Sequence, residues 1–243
     1  MLGGNEIMEA SQEASPRLKA RIAGLFELLE ALTSGFGMVV VPGMLIVVSD
    51  AAATLANVRA HEQLFRLSIL AGLLGIGFHI AWSYLFYQLF KPVSKSVSLL
   101  AVLFAAVAIA LQGFSNILQA APLVILQDGR GLTALSPEQM NALAFVLLRL
   151  SGQAFNTYLA FFGVWCVLIG YLIAKSRFMP RIIGLLEALS GLCWVTFVWP
   201  PLARYLSPYN QIVASIGEIS LMLWLLIVGV NAQKWKEQAA ANA

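Results

Sequence analysis

Six apolar segments, each 18 to 30 residues long, constrain the fold of this chain more than any other feature. An α-helix rises about 1.5 Å per residue, so roughly 20 apolar residues cross the hydrocarbon core of a bilayer. Of the 243 residues, 60% are hydrophobic and only 11% are charged, whereas soluble domains have about 25% charged residues. We therefore predict an all-α fold, a polytopic transmembrane helical bundle. Its six spans are expected at about residues 22–48, 64–90, 97–126, 153–174, 182–199 and 209–232.

The segments that connect the spans predict how the bundle is bounded. Residues 51–63 follow the capping residue Asp50 and are too polar to span, so we expect a short extracytoplasmic surface helix after the first span. Pro42 and Gly43 are expected to bend or unwind the outer end of that span. A helix start at Ser136 and Pro137 leads into an apolar pattern that continues to Ala174. Because that pattern exceeds the bilayer thickness, we expect a break near Ser151 and Gly152.

Lysine and arginine are distributed unevenly between the two sides of the predicted bundle. When the predicted segments are assigned alternately to the two sides of the membrane, ten of the fifteen lysines and arginines fall on the side of the N-terminus. These ten include every lysine. Since positive residues accumulate in cytoplasmic segments, both termini are predicted to be cytoplasmic. We expect residues 1–15 to form a flexible tail, residues 16–236 a single transmembrane domain, and residues 237–243 a C-terminal tail.

One short pattern occurs twice, from Arg21 to Glu27 and from Arg181 to Glu187. Each copy opens a span and places a carboxylate six residues, or roughly 9 Å, beyond its arginine. A carboxylate at that depth is costly unless it is paired, protonated or hydrated. We interpret spans one and two, and spans five and six, as two related hairpins in parallel orientation.

Two groups of polar residues are predicted inside the spans. Glu27, Glu30, Glu187 and His79 lie about 9 to 18 Å from the cytoplasmic arginines and lysines and form an expected inner cluster for ligand binding or proton relay. Carboxylates in a low dielectric cannot all stay ionised. The alternative is that Glu27 and Glu187 reach water or pair with Arg21 and Arg181.

An outer cluster of polar residues is also expected inside the spans. It contains Asn116, Arg149, Gln153, Asn156 and Glu218. The alternative is that these side chains join helices by hydrogen bonds.

Several classes of function are not predicted, because the sequence motifs typical of them do not occur in this chain. No nucleotide-binding loop, zinc spacing or basic nucleic-acid-binding arm occurs, so no cofactor, metal or nucleic-acid partner is predicted. Cys166 and Cys193 both lie in apolar segments and are expected to be small buried hydrophobes. Gln112 and Gln119 share a helical face with Asn116 in the third span.

Several motifs, taken in order, resemble one known family. They are Arg21-Ile22-Ala23-Gly24, Ser49-Asp50-Ala51-Ala52-Ala53-Thr54, Leu64-Phe65-Arg66-Leu67, Phe90-Lys91-Pro92-Val93, Gly170-Tyr171-Leu172-Ile173 with Lys175-Ser176, Phe178-Met179-Pro180-Arg181-Ile182, and Gly217-Glu218 with Leu223-Trp224-Leu225-Leu226. Over about residues 20 to 233 the chain is similar to the domain-of-unknown-function 4386 family of bacterial multi-pass membrane proteins. The resemblance implies six helices, the bacterial cytoplasmic (inner) membrane and no assigned activity. Glu27 and Glu187 depart from the family pattern, which implies a specialised member.

Three functions remain open from the sequence. The first is binding or transport of a small apolar or cationic ligand in an intramembrane pocket lined by carboxylates. The second is an accessory or structural subunit of a membrane complex, as a homo- or hetero-oligomer in the lipid bilayer. The third is an intramembrane enzyme that acts on a lipid or isoprenoid by acid–base chemistry, for which a neutral buried carboxylic acid would serve as the general acid.

Overall fold

A computed structural model describes residues 15–127 and 135–242, and within these ranges every regular element is helical. The expected tail at residues 1–15 lies outside the described residues except for Ser15, which accepts a hydrogen bond from Leu18 N and begins the first helix. A π-helical segment, Gly35–Val40, joins α1 to α2, and a 3-10 turn, Thr196–Val198, follows α7. The α-helices are α1 Pro16–Ser34, α2 Val41–Leu45, α3 Ala51–Ala60, α4 Glu62–Phe90, α5 Lys95–Gln127, α6 Pro137–Lys175, α7 Arg181–Val195, α8 Pro200–Leu206, α9 Tyr209–Ile227 and α10 Ala232–Ala241.

Six of these stretches are long and apolar enough to cross a membrane, which confirms the predicted all-α multi-pass fold. They are Pro16–Leu45, Glu62–Phe90, Lys95–Ile125, Pro137–Lys175, Arg181–Val198 and Tyr209–Ile227. Their outward faces carry large apolar side chains: Leu32, Leu185 and Leu192 are each about 60% exposed. Such a surface is stable in lipid and unstable in water, so the chain is a multi-pass membrane protein.

The six spans form a closed ring. Each packs against the next along the chain, and the sixth packs against the first. Aromatic side chains from α4 and α6 fill the interior: Trp82 meets Trp165 edge-on at 4.7 Å between ring centroids, and Phe162 stacks on Trp165 at 5.5 Å. Aromatic pairs in these geometries contribute roughly 0.5–1.5 kcal/mol beyond their buried area. The interior at this level is therefore a packed core.

The first span is helical to Leu45, but its hydrogen-bond register changes before Pro42. Proline has no N–H to bond the carbonyl of Met38. The chain adopts the π-helical segment just before it, in which Val41 N bonds Phe36 O. The expected irregularity therefore lies at Gly35–Val40 and not at Pro42 and Gly43 themselves.

The fourth span corrects the sequence prediction of a break near Ser151 and Gly152. Helix α6 runs without interruption over 39 residues. The Ser151 hydroxyl donates to Ser115 O of α5 at 2.8 Å, and a glycine inside a helix costs only about 1 kcal/mol. The early part of α6 buries Ala144 against Leu55 of α3, which explains how it extends beyond a normal span.

One end of the bundle, which we call the basal end, carries the starts of α1, α5 and α7 and the ends of α4, α6 and α9. Helix α10 crosses it, so residues 237–241 of the expected tail are helical. Trp235 donates its indole N–H to Leu89 O at 2.8 Å, and Arg177 N donates to Gln238 Oε1 at 3.0 Å. This helix therefore connects the ends of α4 and α6.

The last span ends earlier than the apolar pattern suggests. Helix α9 stops at Ile227, and Gly229 then adopts a left-handed conformation with φ of 72°. The freed carbonyls of Ile227 and Val228 accept hydrogen bonds from Arg21 at 2.8 Å and Arg17 at 3.2 Å. Cations at a helix C-terminus are favoured by the helix dipole, so α1 and α9 are joined at the basal end.

Candidate functional site

A cavity of about 220 Å³ lies between the first and last spans. Three carboxylic acids line it, Glu27 and Glu30 from α1 and Glu218 from α9, and Trp82 and Phe162 contribute aromatic surface. The same cavity is lined by Ala31, Ser215, Ile219 and Met222. Of these, Ala31, Ser215 and Ile219 are exposed on the outer face of the bundle. The cavity thus opens sideways, toward the region that lipid would occupy, and we call it the acidic cavity.

Glu218 belongs to the acidic cavity and not to the outer polar group in which the sequence placed it. Helix α9 ends at Ile227, so Glu218 lies only nine residues from the basal end of its span. Glu30 also lies nine residues from Arg21, so both acids are roughly 14 Å from the basal end. Antiparallel helices that touch at their basal ends bring two side chains at equal depth together.

The carboxyl of Glu218 is held by the neighbouring span. Ser190 Oγ of α7 donates to Glu218 Oε1 at 3.3 Å, and the Trp194 indole N–H donates to the same oxygen. Both donors follow Glu187 on α7 at helical spacing, so one face of this helix supports the acid. The partners are separated by 24 and 28 residues along the chain, so no local pattern in the sequence indicates this pairing.

Glu187 lies behind the cavity and is only 1% exposed. Its carboxyl lies close to the Cys166 thiol of α6, and its Oε2 is buried without a partner. Glu27 interacts electrostatically with Glu187, Glu218 and Glu30. The structure therefore brings both repeated acids, and two more, into one group.

No lysine or arginine in the described residues forms an ion pair with any of these four acids. Arg21, the partner expected in the alternative interpretation, instead donates to the carbonyl of Ile227. Arg181 is exposed at the basal end. Pairing with the arginines of the repeat is therefore not how Glu27 and Glu187 are accommodated.

His79 is connected to Glu30 through Gln112, a residue that the sequence placed on a polar face but did not assign to a site. The Gln112 Oε1 lies 3.2 Å from His79 Nδ1, and its amide nitrogen donates to Ser34 Oγ at 3.0 Å and to Glu30 Oε1 at 3.4 Å. His79 is fully buried and stacks on Trp82 at 4.4 Å between centroids. The buried polar atoms without partners include Glu27 Oε2, His79 Nε2 and Trp82 Nε1.

The other members of the expected outer cluster do not converge. Asn116 is buried and donates to Ile69 O at 3.2 Å, which joins α5 to α4. Arg149 is exposed and donates to Val48 O at 3.1 Å. Gln153 is exposed and Asn156 is half-buried. Asn116 and Arg149 thus connect neighbouring segments, as in the helix-joining alternative.

The chemistry of the acidic cavity favours a positive charge. Carboxylates in hydrocarbon are stabilised by protonation or by a cation. Among the described residues, no group of three or more His, Cys, Asp or Glu side chains is arranged to hold a metal ion.

Comparison with known proteins gives one match. A family model described as a domain of unknown function (DUF4386) matches residues 22–229, from within the first span to just beyond the end of the sixth. No curated protein and no solved structure matches the chain.

Proposed function

The chain belongs to the DUF4386 family of unknown function, and because that family assigns no activity, we propose from the acidic cavity that the protein binds a small lipophilic organic cation taken from the membrane. One observation carries the proposal. Three carboxyls and two aromatic rings line a single cavity whose mouth faces the lipid side of the bundle.

The charge of the cavity supports a cation over a neutral ligand. Burying a carboxylate without a counter-charge costs several kcal/mol. A quaternary or protonated amine offsets that cost and also packs its apolar substituents against Trp82 and Phe162, which line the cavity. Neutral hydrocarbons of the same shape gain the packing but leave the buried carboxylates without a counter-charge.

The size of the cavity supports a small ligand. Its volume of about 220 Å³ lies below the roughly 300–1,000 Å³ of pockets for drug-sized molecules. It therefore suits a single substituted ammonium group with one ring, not a whole phospholipid.

The repeat supports a shared origin of the two hairpins, because both copies open a span and place a carboxyl six residues after an arginine. The predominance of lysine and arginine on the side of the bundle that carries the termini supports placing both termini in the cytoplasm. We place the protein in the bacterial cytoplasmic membrane on the family resemblance.

The test compares a cation with its neutral isostere. Protein in mild detergent is titrated with benzyltrimethylammonium or with neopentylbenzene, in which carbon replaces the nitrogen, and binding is followed by calorimetry and native mass spectrometry. We expect the cation to bind and the hydrocarbon not to bind. Glu27→Gln and Glu218→Gln should each weaken binding about tenfold, equivalent to about 1.4 kcal/mol.

The control variant is Glu237→Gln, which removes an exposed acid from α10 and leaves the cavity intact. Equal binding of the two ligands would refute charge recognition. Equal losses in Glu237→Gln and Glu27→Gln would refute the cavity as the binding site. If folded wild-type protein binds neither ligand, the proposal fails and the accessory-subunit function becomes the better explanation.

A further inference from the structure

A second and larger cavity, about 640 Å³, lies at the basal end. It is formed where the connection between α6 and α7 meets the connection between α9 and α10, and Asn231 N donates to Phe178 O at 3.1 Å between them. Arg17, Arg177 and Lys234 line it. This basal cavity shares no lining residue with the acidic cavity.

The charges around the basal cavity are strongly positive. An adjoining cavity of about 410 Å³ shares Arg177 and Lys234 and adds Arg181. The acid there, Glu237, accepts a hydrogen bond from Gln233 at 2.9 Å. Among the described residues, no ion pair involves any of the four cations of the two cavities, which are Arg17, Arg177, Arg181 and Lys234. Arg17 uses Nε to bind Val228 O, which leaves its terminal nitrogens for other acceptors.

The rest of the lining is apolar and includes one unused donor. Phe178, Met179, Pro180 and Val230 line the basal cavity beside the cations. Trp224 also lines it, and its indole Nε1 is buried without an acceptor. Ile227, at the end of the same helix, is 64% exposed on the lipid-facing side. Cations, a free indole donor and an apolar wall therefore meet where the bundle leaves the membrane.

We propose that the basal cavity binds the headgroup of an anionic phospholipid, with Arg177 and Lys234 on the phosphate and the apolar wall against the glycerol and first acyl carbons. Basic pockets between spans at a membrane surface suit such headgroups, and each lysine or arginine near an anionic surface contributes about 1 kcal/mol. The apolar wall favours a lipid over free phosphate, because phosphate alone would leave Val228, which lines the cavity and is 40% exposed, and neighbouring Ile227 uncovered.

The test titrates detergent-purified protein with short-chain phosphatidylglycerol and counts bound lipids by native mass spectrometry. We expect one lipid to bind to the wild type. Arg177→Gln and Lys234→Gln should each weaken the affinity for this lipid about fivefold, and the double variant should weaken it about twenty-five-fold. Arg17 is left unchanged because it holds the end of α9. The matched control is Lys91→Gln with Lys95→Gln, two exposed cations at the same end of the bundle.

Three results would overturn the proposal. An equal loss in the Lys91 and Lys95 control would mean diffuse attraction by surface charge. Equal binding of phosphatidylcholine, whose phosphate is balanced by choline, would mean that the net negative charge of the headgroup is not recognised. Complete competition by millimolar inorganic phosphate would identify a soluble phosphate site and not a lipid site. Unfolding in denaturing detergent, measured on each variant, confirms that a weakened variant is still folded.

Discussion

The contact between α6 and α7 gives the most direct test of how the acids are positioned. The two helices run antiparallel and approach at two pairs of glycines, Gly163 with Gly191 and Gly170 with Gly184. On α6, Cys166 lies between Gly163 and Gly170. On α7, Glu187 lies between Gly184 and Gly191. The contact between that thiol and carboxyl is therefore a consequence of the glycine pairs.

The cost of Gly184→Ala can be worked from the geometry. A Cβ at this position would lie 2.6 Å from Gly170 O and 2.7 Å from Ala174 N, both backbone atoms. Such contacts are optimal near 3.5 Å, so the helices would have to separate by about 0.9 Å. Overpacking of this kind costs about 1–3 kcal/mol, and the better helix propensity of alanine returns about 0.8–1 kcal/mol. We expect a net loss of about 0–2 kcal/mol.

The matched variant is Gly77→Ala, because a Cβ there has no atom within 4 Å. It should stabilise the protein by up to about 1 kcal/mol through helix propensity alone. The free energies of unfolding of both variants, measured by titration with denaturing detergent, should therefore differ by about 1–3 kcal/mol. If Gly184→Ala were as stabilising as Gly77→Ala, the close approach of α6 and α7 would be refuted.

Two further substitutions test the buried polar network and the end of α9. Gln112→Leu should destabilise the protein by about 1–3 kcal/mol, because it leaves His79, Ser34 and Glu30 without this partner. As a control, Gln153→Leu at an exposed position should change the free energy of unfolding by no more than about 0.5 kcal/mol in the same assay. Gly229→Ala should cost about 1–2 kcal/mol, since its φ of 72° is unfavourable for alanine, and a melting temperature equal to wild type would contradict the left-handed turn.

The spans could be predicted because the membrane imposes one strong requirement, an apolar stretch long enough to cross it. The ends of helices were less predictable, since they depend on local signals that a hydrophobic pattern hides. Gly229 is a typical residue just beyond a helix end, and Asn231 is a good cap for the helix-forming residues of α10. Both signals were present in the sequence and would have placed the ends of α9 and α10.

The candidate site was only partly predictable for a different reason. The repeat identified Glu27 and Glu187, whose equivalent positions follow from the sequence itself. Gln112 and Trp194 join the site through contacts between helices, and these depend on how each helix is rotated about its axis. An apolar span with polar residues on one face does not reveal which neighbour that face meets. The positions of Glu218 and Gln112 therefore required the three-dimensional packing.

The closure of the ring between its first and last spans has a consequence for biosynthesis. Glu218 is translated 188 residues after Glu30, a delay of about 10–40 s at 5–20 residues per second. During that interval Glu30 is already inserted, while the helix that completes its cavity does not yet exist. Gln112, which donates to Glu30 Oε1, is synthesised earlier than α7 and α9, so it can satisfy the Glu30 carboxyl while the nascent chain waits for its final helix.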